Sequence, residues 1–331
     1  MDAVVSAAVS PDGRFVYAIS RAPGPFTSRT AVSLAVLERL PDGGLVQRGC
    51  VANEAVAECA VVGSLDWRGI AISPDGAQLY AAGAPLTIFA RDAATGALAA
   101  AGTLPPPPAR RFSAPVFAPD GLHAWMRASG DGGAVDALVT VARDPASGLL
   151  GFGGCHAARA VPGCRRDRRL GASLAGIAPT ADGRWLYVSA AEAGYDVPPG
   201  TDTFFSIAAF RVDAATGSLR PGPCISTLRA RGCTRERRLG SVGGALGITG
   251  DGRRVLVAAV GDAVALRRDV RTGRLTVLGA TGACAWPRQP CRRSDRVRLE
   301  VTVLVAPRGR RGWVVSSDVA RTGTVAAVAL R

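Results

Sequence analysis

The sequence contains no lysine. All 40 of its basic residues are arginine, set against 26 acidic residues, so the 331-residue chain carries a formal charge of +14. Codon bias in a GC-rich genome would produce such an excess. A cationic surface meant for anionic partners would produce it too. Histidine is nearly as scarce. With only His123 and His156, a multi-histidine metal centre is excluded within the chain. No stretch approaches the ~18 consecutive apolar residues of a membrane-spanning helix. Cys-x-x-Cys, His-Glu-x-x-His, Gly-x-Ser-x-Gly and the dinucleotide glycine fingerprint are all missing. The segment Asp131-Gly132-Gly133-Ala134-Val135-Asp136 offers too few oxygen ligands for a calcium loop. No metal and no cofactor is expected.

What the chain has in quantity is turns. Ser10-Pro11-Asp12-Gly13 recurs as Ser73-Pro74-Asp75-Gly76, Ala118-Pro119-Asp120-Gly121, Thr180-Ala181-Asp182-Gly183 and Thr249-Gly250-Asp251-Gly252, with a degenerate copy at Ala306-Pro307-Arg308-Gly309. Proline presets φ, aspartate bonds back to the turn backbone and glycine accepts positive φ. An apolar run precedes each copy and a β-rich run follows it, which predicts a hairpin. A second motif alternates with the first: Arg91-Asp92-Ala93-Ala94-Thr95-Gly96, Arg143-Asp144-Pro145-Ala146-Ser147-Gly148, Asp213-Ala214-Ala215-Thr216-Gly217 and Arg268-Asp269-Val270-Arg271-Thr272-Gly273. Together the motifs predict four strands per repeat. Four-stranded repeats of roughly 40–50 residues, lengthened by loop insertions, indicate propeller blades.

The expected fold is therefore all-β: one six-bladed β-propeller of four-stranded antiparallel blades, with seven blades as the alternative. The blades are placed at about 3–48, 69–104, 113–154, 174–221, 244–282 and 300–331. The last has no room for its outer strand. The chain opens Met1-Asp2-Ala3, directly before a first strand and without a signal peptide. The missing strand and the missing leader both lead to the expectation that upstream residues are absent.

Cysteines fall between blades in four pairs: Cys50 with Cys59, Cys155 with Cys164, Cys224 with Cys233, and Cys284 with Cys291. Eight cysteines allow 105 pairings, but recurrence in phase with the repeat predicts these four local bridges. Each short closure contributes about 2–3 kcal/mol. Disulfides belong to oxidising compartments, so a secreted or extracytoplasmic location is expected. In the second blade Pro105-Pro106-Pro107-Pro108 takes the place of a cysteine insert.

This pairing of turns resembles the lactonase-like, or YVTN-type, β-propellers. The cysteine pairs are similar to those of secreted bacterial members. The resemblance implies the fold. It also implies, for the enzymes of that group, His, Arg and Glu side chains around a central pocket, none of which can be matched to a position here.

Most aspartates belong to the two turn sets, and a repeated residue is a poor candidate for a unique catalytic constellation. His123 fills a repeat slot held elsewhere by Phe15, Gln78, Trp185 and Arg254; outside the repeat stand His156, and Glu192, Tyr195, Asp196 and Asp202 of a long fourth-blade loop. The sharper signal is arginine after the second cysteine of each pair: Arg165, Arg166, Arg168 and Arg169; Arg235, Arg237 and Arg238; Arg292 and Arg293. In a propeller these would share one face near the mouth of the channel, where guanidinium groups bind carboxylates or phosphates bidentately. The leading expectation is a non-catalytic, monomeric binding module using that face for an anionic small molecule, glycan or protein. The rival is a lactonase-like hydrolase acting on a lactone or sugar-derived substrate. Few aromatics interleave with the arginines, so nucleic acid is not an expected partner.

Overall fold

The computed structural model describes residues 3–21, 32–56, 58–62, 67, 69–105, 110–130, 135–192, 204–230, 232–239, 244–259, 262–282, 301–305, 311–317 and 323–329. These residues form six sheets and contain no α-helix.

Sheet one runs β1 (Ala3–Val9), β2 (Phe15–Arg21), β3 (Val32–Arg39), β4 (Leu45–Ala52) and β5 (Ala60–Val61) in spatial order. Sheet two runs β6 (Gly69–Ile72), β7 (Gln78–Ala82), β8 (Leu86–Arg91) and β9 (Leu98–Leu104). In sheet three the first strand is split into β10 (Arg110–Phe112) and β11 (Val116–Phe117), both paired with β12 (His123–Gly130). Then come β13 (Ala137–Arg143), β14 (Leu150–Ala157) and β15 (Arg165–Arg166). Sheet four runs β16 (Ser173–Pro179), β17 (Trp185–Ala191), β18 (Phe205–Val212), β19 (Leu219–Ser226) and β20 (Thr234–Arg235). Sheet five holds β21 (Leu246–Ile248), β22 (Arg254–Ala259), β23 (Asp262–Arg268) and β24 (Leu275–Gly282). Sheet six has three strands among the described residues: β25 (Val301–Val305), β26 (Arg311–Ser317) and β27 (Gly323–Ala329).

Both repeated motifs are the turns expected of them. In the first hairpin Asp12 Oδ1 accepts from Ser10 Oγ at 2.5 Å and from the Arg14 amide at 3.0 Å, while the Gly13 amide donates to the Ser10 carbonyl. In the second, Asp92 Oδ1 accepts from the Ala94 and Thr95 amides, both at 2.8 Å. Gly96 closes that turn at φ +75°, and a Cβ there would lie 2.4 Å from the Phe15 ring of the preceding sheet. The glycine thus supplies both a left-handed backbone and a flat seat for the neighbouring side chain.

The cysteine loops do more than close. Three of the four expected disulfides are formed: Cys50–Cys59, Cys155–Cys164 and Cys224–Cys233. The fourth expected bridge, from Cys284 to Cys291, is not among them, because both Cys284 and Cys291 lie outside the described residues. After each second cysteine of the three formed bridges, two residues turn extended and pair in parallel with the two residues after the first: Val51↔Ala60 and Ala52↔Val61, His156↔Arg165 and Ala157↔Arg166, Ile225↔Thr234 and Ser226↔Arg235. Each staple therefore lays a fifth strand along the fourth, covering edge N–H and C=O groups that would otherwise invite pairing with another chain. In sheet two, Thr103 occupies the place of the first cysteine by register, followed by Leu104 and Pro105. Proline has no N–H to leave unpaired, so that edge is protected without a staple.

The chain divides into two compact units, Met1–Ala134 with Val139–Gly153, and Val135–Leu138 with Gly154–Arg331. In the first unit Phe15, Tyr17, Leu34, Trp67, Leu79 and Phe89 are fully buried where the faces of sheets one and two meet. In the second, Trp185, Tyr187, Ile207, Val255, Val264 and Leu266 do the same between sheets four and five. Second strands are buried along their length, as in β7 and β17, because both of their faces meet protein.

Candidate functional site

Antiparallel order sends both kinds of turn to one end of each sheet, the turn end. The second-to-third-strand connections and the staple loops lie at the other, the loop end. The turn end is occupied by a repeated lock. Tyr17 Oη donates to the Gly96 carbonyl at 2.8 Å. Arg91 Nε donates to Tyr17 Oη at 2.7 Å, its Nη1 to the Gly76 carbonyl at 3.0 Å and its Nη2 to Asp12 Oδ2 at 3.4 Å. The same set recurs as Tyr80–Gly148 with Arg143, Gly121 and Asp75, and Arg143 also bonds Gln78 Oε1. In the second unit it recurs as Tyr187–Gly273 with Arg268 and Gly252, and Arg268 Nη2 lies 3.6 Å from Asp182 Oδ2. Burial pushes the Tyr80 and Tyr187 phenols up to about 12, against the pull of the adjacent guanidinium. Burial works against the Asp75 and Asp182 carboxylates, but the turn hydroxyls and amides, with arginine, hold both below the usual range. The turn aspartates are held within this repeated network and are structural; Arg268 Nη2 is buried with no hydrogen-bond partner and meets Asp182 only at ion-pair distance.

The two histidines are also built into the fold. His123 is buried, with Nδ1 3.1 Å from Asp120 Oδ2 of its own turn. His156, next to Cys155, packs edge-on against Phe210 at 5.4 Å, and its Nδ1 is buried without a hydrogen-bond partner. Burial holds its pKa below the ordinary value, with Asp167 opposing and Arg165 and Arg169 adding to the depression. Glu192 forms an exposed 2.6 Å ion pair with Arg159. Tyr195, Asp196 and Asp202 lie outside the described residues.

The arginines after the cysteines lie along the fourth strands of their sheets. Arg165 and Arg166 form β15, and Arg235 lies on β20. Both strands are at the edge of the sheet opposite its first strand. The staple is the reason, since it fastens the segment to the fourth strand before the chain turns back. Arg168, Arg237 and Arg238 are exposed, and Arg238 pairs with Glu236 at 2.9 Å. Arg169 is buried, forked onto Asp167 at 2.6 and 2.9 Å and donating to the Gly222 and Ala209 carbonyls at 2.6 and 3.2 Å. Its guanidinium lies 4.7 Å over the Phe210 ring and acts as a packing element. Arg292 and Arg293 lie outside the described residues.

First strands are almost free of chemistry. β1, β6, β11, β16, β21 and β25 carry no titratable side chain. The exception is β10, with half-buried Arg110 and Arg111 at the loop end of sheet three. Arg110 Nη1 donates to the Ala128 carbonyl at 3.0 Å. Opposite, the amide of Arg127 on β12 donates to Ser113 Oγ at 2.9 Å, and its carbonyl accepts from the Ser113 amide at 2.8 Å. Three arginines thus lie on paired strands toward the loop end of one sheet, Arg111 and Arg127 on one face and Arg110 on the other. The arginine pair Arg110-Arg111, one residue beyond the proline run, was the available signal in the sequence. Asp136, in the other unit, is buried, accepting the Leu174 amide of β16 at 2.8 Å.

Two open cavities among the described residues have volumes of about 480 and 440 Å³. One lies between the Cys50–Cys59 staple and the turn at 94–98, the other between the Cys224–Cys233 staple and the turn at 273–276. They occupy equivalent places in the repeat, which marks them as products of the architecture.

No protein-family model and no curated protein matches the chain. Solved structures do. A putative 6-phosphogluconolactonase from Bacteroides fragilis aligns over 98% of this chain and 84% of its own, at 15% identity and TM-score 0.59. The periplasmic gluconolactonase PpgL of Pseudomonas aeruginosa aligns over 98% and 85%, at 18% identity and TM-score 0.57. The β-propeller domain of Cps50 (Swd1) from Myceliophteria thermophila aligns over 99% and 84%, at 12% identity and TM-score 0.58. The fold is a β-propeller. At these identities the likeness speaks to architecture, and function is argued from the site.

Proposed function

We propose that this propeller is an extracytoplasmic lactonase-like hydrolase acting on a sugar-derived lactone at the loop end of sheet three. The observation that carries the reading is the placement of Arg110 and Arg111 on the one first strand that bears titratable groups among the described residues. Structural similarity to a putative 6-phosphogluconolactonase and to a periplasmic gluconolactonase supports it. The three disulfides support the compartment. This ranks the hydrolase above the binding module, whose arginines sit at the outer edges of their sheets.

Ester hydrolysis moves negative charge onto the carbonyl oxygen as water adds. Guanidinium groups aimed at that oxygen stabilise the tetrahedral state more than the ground state. Arg111 is assigned this role, and Arg127, on the same face of the sheet, an auxiliary one in holding hydroxyl or phosphate oxygens of the sugar. Removing one donor of this kind costs on the order of 100-fold in turnover. The test is base consumption at constant pH with glucono-δ-lactone and its 6-phosphate, corrected for spontaneous opening, for the native chain, for Arg111→Ala and for Arg110→Ala on the opposite face. Turnover lost in Arg111→Ala and kept in Arg110→Ala, with unchanged circular dichroism, is expected. No turnover above background by the native chain on either lactone overturns the proposal.

A further inference from the structure

The staple loops of sheets three and four are two adjacent strips of positive charge in one unit. Arg159, Arg165, Arg166 and Arg168 belong to the first, Arg229, Arg235, Arg237 and Arg238 to the second, and all are exposed. Arg169 joins the loops. Its side chain crosses from the first to donate to Gly222 and Ala209 of sheet four. A Cβ on Gly232, inside the second staple, would lie 3.2 Å from Arg169 Cδ, so the loops are in direct contact. The acids of the region are already matched: Asp167 with Arg169, Glu236 with Arg238, and Glu192 with Arg159. Among the described residues, Arg165, Arg166, Arg168, Arg229, Arg235 and Arg237 have no carboxylate partner.

From this juxtaposition we infer a second binding surface, separate from the lactone site: a cationic band across the two stapled edges that takes an extended acidic polysaccharide. Three features select the ligand. Unmatched guanidinium groups spread over two contacting loops fit closely spaced carboxylates or sulfates along a polymer better than one compact anion. Arg165 and Arg166 point to opposite faces of β15, as neighbours on a strand must. A chain lying along the sheet edge meets both, whereas a small ligand on either face meets one. Neither loop contains an aromatic residue between 157 and 170 or between 227 and 239, so the base-stacking platforms of single-stranded nucleic-acid binders are missing. The disulfides fix both loops before any ligand arrives, which lowers the ordering cost of binding.

The experiment uses the oxidised full chain and fluorescein-labelled polygalacturonate in anisotropy titrations at low and moderate salt. Neutral dextran and single-stranded DNA of matched length serve as comparisons. The band variant is Arg165→Ala/Arg166→Ala/Arg168→Ala. A charge-matched control, Arg253→Ala/Arg271→Ala/Arg274→Ala, removes three exposed arginines from the turn end of sheet five. Polygalacturonate binding that weakens about tenfold in the band variant and under about twofold in the control is expected, with the salt slope reduced only in the former. Equal loss in both variants overturns the inference in favour of diffuse net charge. Tighter binding of DNA than of polygalacturonate overturns the choice of ligand class. Lactone turnover is unchanged in both variants, so failure here and failure of the hydrolase reading are read separately.

Discussion

Arg143 has its side chain 1% exposed, with Nε on a phenol, Nη1 on a carbonyl and Nη2 on a carboxylate. Removing it leaves the Tyr80 hydroxyl and one Asp75 oxygen without their partner. The guanidinium is buried while the Asp75 carboxylate is nearly half exposed, so the cost falls mainly on the buried bonds to the phenol and the Gly121 carbonyl. Arg143→Ala is expected to lose about 2–4 kcal/mol in urea unfolding, and Tyr80→Phe about 1 kcal/mol. The double variant is expected to fall well short of their sum, because the residues share one network. Additive losses would show that the lock does not act as a unit. His156 sets the pH dependence on the acid side of neutrality. Its folded pKa is depressed by burial, so the unfolded chain binds the proton more readily, and stability falls as pH drops through the unfolded value near ~6.5. The lock aspartates, also depressed, withdraw their stabilisation only below about 4. Urea midpoints are expected to fall between pH 7.5 and 5.5, and His156→Phe should flatten that segment while leaving the steeper loss below pH 4. A native curve flat between pH 7.5 and 5.5 would refute this.

At the scale of elements, the disulfide staple is the unit of interest. Loss of the Cys155–Cys164 closure, as Cys155→Ser/Cys164→Ser, is expected to cost about 2–3 kcal/mol. It should also release β15, seen as faster exchange of the amides that join β14 to β15, while the paired strands β16–β19 keep their protection. Uniform loss of protection would mean the staple supports the whole unit rather than its edge. These elements were unequally legible in the sequence. Aspartate-glycine turns and alternating apolar runs announced the hairpins, and in-phase cysteines announced the three bridges described, because each feature has a local cause. The fifth strands were not legible. Two residues cannot show a period, and Arg165-Arg166 or Thr234-Arg235 becomes a strand only because the bridge holds it against an edge. That is why the sequence could not show that these arginines lie beside fourth strands. The lock was half legible: Arg91, Tyr17 and Asp12 each belong to a repeat, but their meeting across 79 residues is a tertiary fact.

For the whole molecule, the division between a repeated turn end and an unrepeated loop end decides where function can lie. Substitution at the loop end, such as Arg111→Ala, is expected to change turnover with little change in the urea midpoint. Substitution in the lock should do the reverse. Measuring both quantities for Arg111→Ala and Arg143→Ala tests the division, and a variant that moves the two together argues against it. Repetition in the sequence already marked the turn end as architecture. The candidate site escaped notice because Arg110-Arg111 is one of several such pairs, among them Arg165-Arg166, Arg168-Arg169 and Arg237-Arg238, and only the folded chain places it on a first strand. The staples carry one more consequence, for survival outside a cell. Exposed Arg159 lies between Cys155 and Cys164, and exposed Arg229 between Cys224 and Cys233. A trypsin-like protease that cuts at either site opens the backbone but cannot part the pieces, because the bridge spans the cut. The nicked protein should migrate as one band without reductant and as fragments with it, still folded and still holding its sheets.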